Sequence, residues 1–316
     1  MGRVAVAQKQ MAGLAIGLGL ALILSIAGFQ RTADNDRLFP RNENPVRVVF
    51  IPADGGTATG TIADFGPLFA ALTETSGMHF EFAVTQSYSA AVEALCNGSA
   101  DLAFVGPATY LQAQERDCAR LIATGIRKGR QSYYTAIFVR KDSAFQSLAD
   151  LRGKRVAFGD INSTSSFLMP VAMLLDAGVD PASDLGAVRI TGSHPASLAA
   201  VIAGRVDATA LSFDSFDRAL QSGLPGLDDL RVLARSEAMP YPPFVVSSRL
   251  PAERREKLRK GFAEIEQRRL ALPGYAGRPL DAYSTKVDQK AFDALRARLA
   301  RLTADRVAAI LNRAKR

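Results

Sequence analysis

The residues richest in potential chemistry stand together at Gly159-Asp160-Ile161-Asn162-Ser163-Thr164-Ser165-Ser166-Phe167. The run lies between a predicted strand, Arg155 to Phe158, and a long apolar stretch, Leu168 to Val179, that reads as a helix. A helix N-terminus carries unpaired N–H groups and a partial positive charge, and hydroxyls placed there add neutral donors. Together these outline an anion site. One Ser or Thr in such a place ordinarily caps the helix and does nothing more. Four hydroxyl residues in succession exceed what one cap needs. Pro170 requires that the helix begin late in the run or bend there, because proline donates no backbone hydrogen bond.

The rest of the chain must position that stretch. At 316 residues and 48% hydrophobic it has material for about two domains with proper cores. The net charge of +8 is spread along the chain and weighted toward the C-terminal helical region, with none of the basic-aromatic modules that read nucleic acid. Such a diffuse basic field suits a small anion or simple solubility. Arg3 and Lys9 precede an uncharged apolar run from Met11 to Phe29, so residues 1–29 read as an export signal or a membrane anchor. Ser25-Ile26-Ala27 offers a cleavage pattern, whereas the length of the run favours a span; both readings stand. Residues 30–45 form a polar linker. The folded part then lies outside the cytoplasmic membrane, where an isolated pair such as Cys96 and Cys118 reads as a disulfide rather than a metal or redox site.

From Val46 strands and helices alternate. Val46 to Pro52, Phe80 to Val84 and Leu102 to Val105 read as strands, separated by helices at Ile62 to Ser76 and Ser89 to Leu95. A second alternation begins after the strand Tyr133 to Val139. It runs through Arg155 to Phe158, the hydroxyl stretch, Ala187 to Ile190, a helix around Ala196 to Ala203, and Ala208 to Leu211. Each set implies an α/β unit with a mainly parallel sheet and ligands at the carboxyl ends of its strands. Pro240 to Ser247 reads as an edge or crossing strand stiffened by prolines. Ala252 to Leu270 and Ala291 to Ala314 read as helices, the second with Phe292, Leu295, Leu299 and Leu302 inward and its arginines solvated.

In this order the landmarks resemble the periplasmic solute-binding proteins of phosphonate and related phosphorus-oxyanion ABC importers. The likeness spans about Val46 to Phe262. It rests on Tyr88 in Ser-Tyr-Ser-Ala-Ala-Val-Glu-Ala-Leu, Tyr133-Tyr134, Leu148 to Lys154, the Asn162 to Ser166 run and Gly192-Ser193-His194. The resemblance implies a type II periplasmic binding protein of two α/β lobes, residues 46–135 with 245–316 and residues 136–244, joined by two crossing hinge strands near Tyr134 to Arg140 and Pro240 to Val246. It implies an oxyanion held by Ser163, Thr164 and Ser165, with Tyr88, Tyr133 or Tyr134, His194 and Asp214 completing the pocket. Hydroxyls bind a desolvated anion without a buried counter-charge, a histidine donates or turns cationic, and an acid accepts from a protonated oxygen or pairs with a ligand amine. Phosphonate, phosphite and phosphate all remain open, because the glycine loop Asp54 to Gly60 and the segment Gly106 to Tyr110 depart from the family pattern. In that segment Thr109 or Tyr110 is left as a contact. The implied partners are a small oxyanion and a membrane permease, with the protein a monomer and no cofactor, metal or nucleic acid required.

Plainer roles compete for the same residues: His194 as a cap before Pro195, Tyr88 as a staple, Asp214 as a cap for a helix beginning at Ser215. An enzyme is disfavoured, since His79 and His194 are the only histidines and no Gly-x-Ser-x-Gly elbow, HExxH or Walker loop occurs. A membrane-tethered sensor, or a clamp for a sulfonate or another organic anion, would share the same architecture.

Overall fold

The computed structural model describes residues 45–52 and 58–315. The expected export or anchor segment and nearly all of the linker lie outside them, as do residues 53–57 of the glycine loop. Among the described residues no helix is long and apolar enough to cross a membrane.

The chain opens with β1 (Val46–Phe50), α1 (Ala58–Ser76), β2 (Phe80–Val84), α2 (Tyr88–Asn97), β3 (Leu102–Phe104), α3 (Pro107–Glu115) and β4 (Ala119–Ile126). It then crosses through β5 (Ser132–Tyr133) to β6 (Thr135–Arg140), β7 (Arg155–Phe158), a π-helical turn over Thr164–Leu168, and α4 (Met169–Asp176). The second lobe continues with β8 (Ala187–Ile190), α5 (His194–Ile202), β9 (Ala208–Ser212), α6 (Phe213–Gln221) and β10 (Leu230–Arg235). The return runs through β11 (Met239–Pro240) to β12 (Pro243–Ser247), α7 (Ala252–Gln267), β13 (Ala282–Ser284), α8 (Gln289–Leu299) and α9 (Ala304–Ala314).

Two mixed sheets result, in the orders β13-β4-β12-β3-β1-β2 and β10-β6-β9-β7-β8. The βαβ stretches pair in parallel as expected, β1 with β2 and β3, and β7 with β8 and β9. The strands flanking the crossings, β4, β12, β6 and β10, pair antiparallel. The crossings themselves lie at β5 and β11, which pair antiparallel through Tyr133 with Met239 and Ser132 with Pro240. They sit a few residues before the predicted positions, because Thr135 to Arg140 is already a full member of the second sheet.

Aromatic spacing explains the first core. Phe65, Leu68, Phe69 and Leu72 recur on one face of α1 and are buried, and Phe50, Phe65, Phe69 and Phe104 gather around Phe244 of β12. The return strand therefore helps to build the first lobe's core. The predicted single helix at the C-terminus is two: α8 ends at Leu299, and Thr303 starts α9 by accepting from the Arg306 N–H at 3.3 Å. Phe292 and Leu295 of α8 join the first core, whereas Ile310 of α9 is fully buried in the second. The C-terminal arginines are not merely solvated. Arg301 reaches Asp176 at 2.8 Å, Arg306 reaches Asp180 at 3.1 Å, and Arg298 engages both Asp176 and Glu237. Ile310, with Val307 and Ala314, packs against the second core.

The cysteines form the expected disulfide, Cys96 to Cys118, with Cα atoms 4.7 Å apart, tying the end of α2 to the start of β4. Reduction is expected to lower unfolding stability by roughly 3 kcal/mol, through the loop of about twenty residues that it releases. Denaturant titrations with and without reductant measure this. A shift below about 1 kcal/mol would show that the bridge adds little to the fold.

Candidate functional site

The hydroxyl run is shaped by a local conflict that its sequence contains. Pro170 sits in the first turn of α4 and offers no N–H to the Ser166 carbonyl, which instead accepts from the Gly159 N–H at 3.1 Å. The Ser165 carbonyl accepts from the Thr135 hydroxyl, which also donates to the Leu211 carbonyl at 2.8 Å. The Leu168 N–H reaches back five residues to the Ser163 carbonyl at 3.0 Å, which makes the turn π-helical. Glycine is required at 159, since a Cβ there would stand 2.2 Å from the Ser166 hydroxyl oxygen. The turn is thus pinned from the sheet side, with Ser163, Thr164 and Ser165 all buried.

Their roles differ. The Ser163 hydroxyl accepts from the Ser166 N–H at 3.2 Å, the capping duty expected of one residue in the run. The Thr164 hydroxyl accepts from the Ala108 N–H of α3 at 2.8 Å, across the cleft between lobes. That bond uses a Thr164 lone pair and not its proton. The Ser165 hydroxyl, and Thr164 more weakly, interact with the buried Tyr133 hydroxyl. Further links cross the cleft nearby. The Tyr88 N–H donates to Asp160 at 3.3 Å, the Thr109 hydroxyl to the Asn162 carbonyl at 3.3 Å, and the Gln112 amide to the Asn162 side chain at 3.0 Å. Two helix N-termini of the first lobe, α2 and α3, therefore meet the hydroxyl loop of the second, and oxygens of that loop take N–H groups the helices leave unpaired.

An aromatic group closes the other side. Tyr275 lies 6.2 Å from Tyr133 and 6.4 Å from His194, ring centre to ring centre, and its hydroxyl pairs with that of Ser215 at 3.0 Å. His194 is fully buried, and neither ring nitrogen has a hydrogen-bond partner among the described residues. Burial holds its pKa down, to about 3, so the ring is neutral. A buried imidazole in this state costs free energy until something pairs with it. Burial likewise pushes the Tyr133 phenol up, keeping it a proton donor.

The predicted residues thus fall into two groups. Thr164, Ser165, Tyr88 and Tyr133 stand together, Tyr275 links Tyr133 to His194, and Ser163 spends its hydroxyl capping the run; the capping duties proposed for His194 and Asp214 belong to Ser193 and Ser212. Tyr88 is the first residue of α2, capped by Ser87, and its ring lies near Gly106 beside Thr164. Tyr134 instead faces an adjoining cavity, with Arg235 stacked on its ring 3.7 Å from the centroid. Asp214 is buried but committed, since its carboxylate pairs with Arg127. The expected service to a ligand hydroxyl or amine is therefore already rendered to a guanidinium, although burial pushes the carboxyl above the usual aspartate range. Thr109 makes a cleft contact, while Tyr110 packs against Phe292 inside the first lobe. Sequence reasoning missed Tyr275, Thr135 and Arg127. Tyr275 lies in the Gly274-Tyr275-Ala276-Gly277 turn, where Ala276 takes φ 57°, and only the flanking glycines could have drawn attention to it.

The family model described as "ABC transporter, phosphonate, periplasmic substrate-binding protein" matches residues 56–303. The chain belongs to this phosphonate-binding family. It is therefore a type II periplasmic binding protein and the solute-binding component of an ABC importer, a transport protein by family. Its sequence is 29% identical over 231 residues to the phosphate-import protein PhnD of Mycolicibacterium smegmatis, covering 69% of this chain and 71% of that one. It is 27% identical over 176 residues to the phosphonates-binding periplasmic protein of Escherichia coli, covering 54% and 52%. The fold of this phosphonate-family protein matches PhnD1 of Prochlorococcus marinus, solved with methylphosphonate, at a TM-score of 0.70 and 20% identity over 83% of this chain and 99% of that one. A histidine kinase sensor domain shares the fold at a TM-score of 0.51 and 19% identity over 81% and 96%, so architecture alone does not separate transport from sensing.

Proposed function

We propose that the protein captures a phosphorus oxyanion, a phosphonate or phosphite or else phosphate, between its lobes by hinge closure and hands it unchanged to a membrane permease. The observation that carries this reading is the burial of a hydroxyl run and of a neutral His194 whose ring nitrogens have no partner among the described residues. Ser163, Thr164, Ser165 and Tyr133 are donors without charge, so they bind an anion without burying a fixed counter-ion. A neutral imidazole also accepts, and a singly protonated phosphonate or phosphate has an O–H to give. Sulfate has none, and is rejected because the acceptor would stay unpaired. The protein acts as an exported monomer without a cofactor, and no group in the site is assigned to bond breaking.

Titration calorimetry on protein stripped of ligand by unfolding and refolding tests the reading, with methylphosphonate, phosphite, phosphate and sulfate in turn. At least one phosphorus anion is expected to bind about a hundredfold or more tighter than sulfate, the discrimination that one unpaired buried polar group supplies at its upper range. Equal affinity for sulfate, or no heat with any phosphorus anion, overturns the proposal.

A further inference from the structure

Beside the hydroxyl run lies a cavity of about 490 Å³ whose wall includes Tyr133, Tyr134, Arg127, Lys128, Arg130 and Arg235. It also holds two acids, Asp214 and Asp217, and both are spoken for. Arg127 takes Asp214 and approaches Asp217 at 3.8 Å, and Arg278 takes Asp217 at 3.2 Å. Among the described residues no carboxylate lies within salt-bridge distance of Lys128, Arg130 or Arg235.

These cations are placed rather than scattered. Arg127 and Arg130 exchange backbone hydrogen bonds of 2.9 and 3.1 Å around Lys128 and Gly129, both at positive φ, which makes a tight hairpin with three basic residues at its tip. The Gly129 N–H donates to Asp281 at 2.8 Å and anchors that tip. From the second lobe, the Arg235 guanidinium stacks on Tyr134 and lies 5.4 Å from the Phe213 ring centre. Stacking uses the guanidinium face and leaves its in-plane N–H donors for an acceptor. Tyr133 belongs to both compartments, since it lines the cavity and its hydroxyl meets Ser165 and Thr164.

We propose that this cavity is a second, cationic subsite, so that the ligand class is a phosphonate bearing a further acidic group on a short chain, and not an aminoalkyl phosphonate. The inference rests on the oxyanion reading of the hydroxyl run and deepens it. A distal carboxylate meets cations from both lobes and helps to hold them together, which favours the closed form. A distal ammonium meets Lys128, Arg130 and Arg235, and finds the one buried carboxylate already taken by Arg127.

The test compares methylphosphonate, 3-phosphonopropionate and 2-aminoethylphosphonate by calorimetry on the full exported protein and on Arg235→Gln and Arg130→Gln. In the unaltered protein 3-phosphonopropionate is expected to bind about tenfold or more tighter than methylphosphonate, and 2-aminoethylphosphonate about tenfold or more weaker. In the variants the advantage of 3-phosphonopropionate over methylphosphonate should shrink toward parity. Methylphosphonate binding together with an equal or tighter 2-aminoethylphosphonate refutes the cationic subsite while leaving the oxyanion site intact. So does an advantage that survives both substitutions. Failure of all three ligands refutes the subsite, and the oxyanion site falls with it if phosphite and phosphate also give no heat.

Discussion

Thr164→Val is expected to weaken methylphosphonate capture by about 3–5 kcal/mol while changing the stability of the open protein by less than about 1 kcal/mol. Two losses add up. The Ala108 N–H lies in the first turn of α3, where a helix supplies no partner, and it donates to Thr164 at 2.8 Å, a bond that hinge opening would break. Valine fills much the same space but leaves that donor buried and unpaired on closure, a cost of about 1–3 kcal/mol. On the proposed reading the anion also loses the Thr164 hydroxyl as a donor, a hydrogen bond to a charged group worth about 1.5–3 kcal/mol. In the open form water satisfies Ala108, so denaturant titration without ligand should barely register the change. Thr164→Ser keeps the hydroxyl and should recover most of the affinity. Calorimetry on the three proteins decides, and a Thr164→Val affinity within about threefold of the unaltered protein would remove Thr164 from both closure and binding.

This double duty shows what a linear reading reaches. The hydroxyl run stood out as a candidate anion site because four donors at a strand-to-helix junction are a local pattern, and the Pro170 conflict was legible because proline's missing N–H is local too. What could not be read was where the displaced hydrogen bonds go. Thr135, thirty residues upstream of Ser165, and Gly159 close them, and only β6 lying beside β9, with β9 in turn beside β7, brings Thr135 within reach. Asp214 makes the same point with charge. From sequence it stood as a free acid, and its partner Arg127 is 87 residues away in the other lobe. The βα alternations and the disulfide were legible, since periodicity and compartment fix them. β4, α3 and β10 were not, because each is short or mixed in pattern and is stabilised by neighbours in the sheet rather than by its own propensity. The C-terminal arginines looked solvated because their partners Asp176, Asp180 and Glu237 are distant in sequence.

Acid is expected to open or unfold the protein through His194, and a bound oxyanion to oppose it. The ring is fully buried and burial alone lowers its pKa to about 3, so the closed form refuses a proton that the ring accepts near pH 6.5 once it meets water. A depressed histidine pKa makes the closed form lose stability as pH falls below about 6.5, at about 1.4 kcal/mol per unit, until the closed-form pKa is reached. Between pH 7 and pH 4 the loss is about 3–4 kcal/mol. Asp214 acts in the opposite sense, because burial raises its carboxyl and the closed form gains its proton more readily. It is present in wild type and in His194→Gln alike, so the difference between the two proteins isolates the histidine. Denaturant titrations and small-angle scattering at both pH values should show wild type losing about 3–4 kcal/mol more than His194→Gln. Saturating methylphosphonate should shrink that difference, since a negative charge beside the ring raises its pKa again. Equal acid losses in the two proteins would mean that His194 meets water in the closed form, and the neutral acceptor invoked against sulfate would go with it.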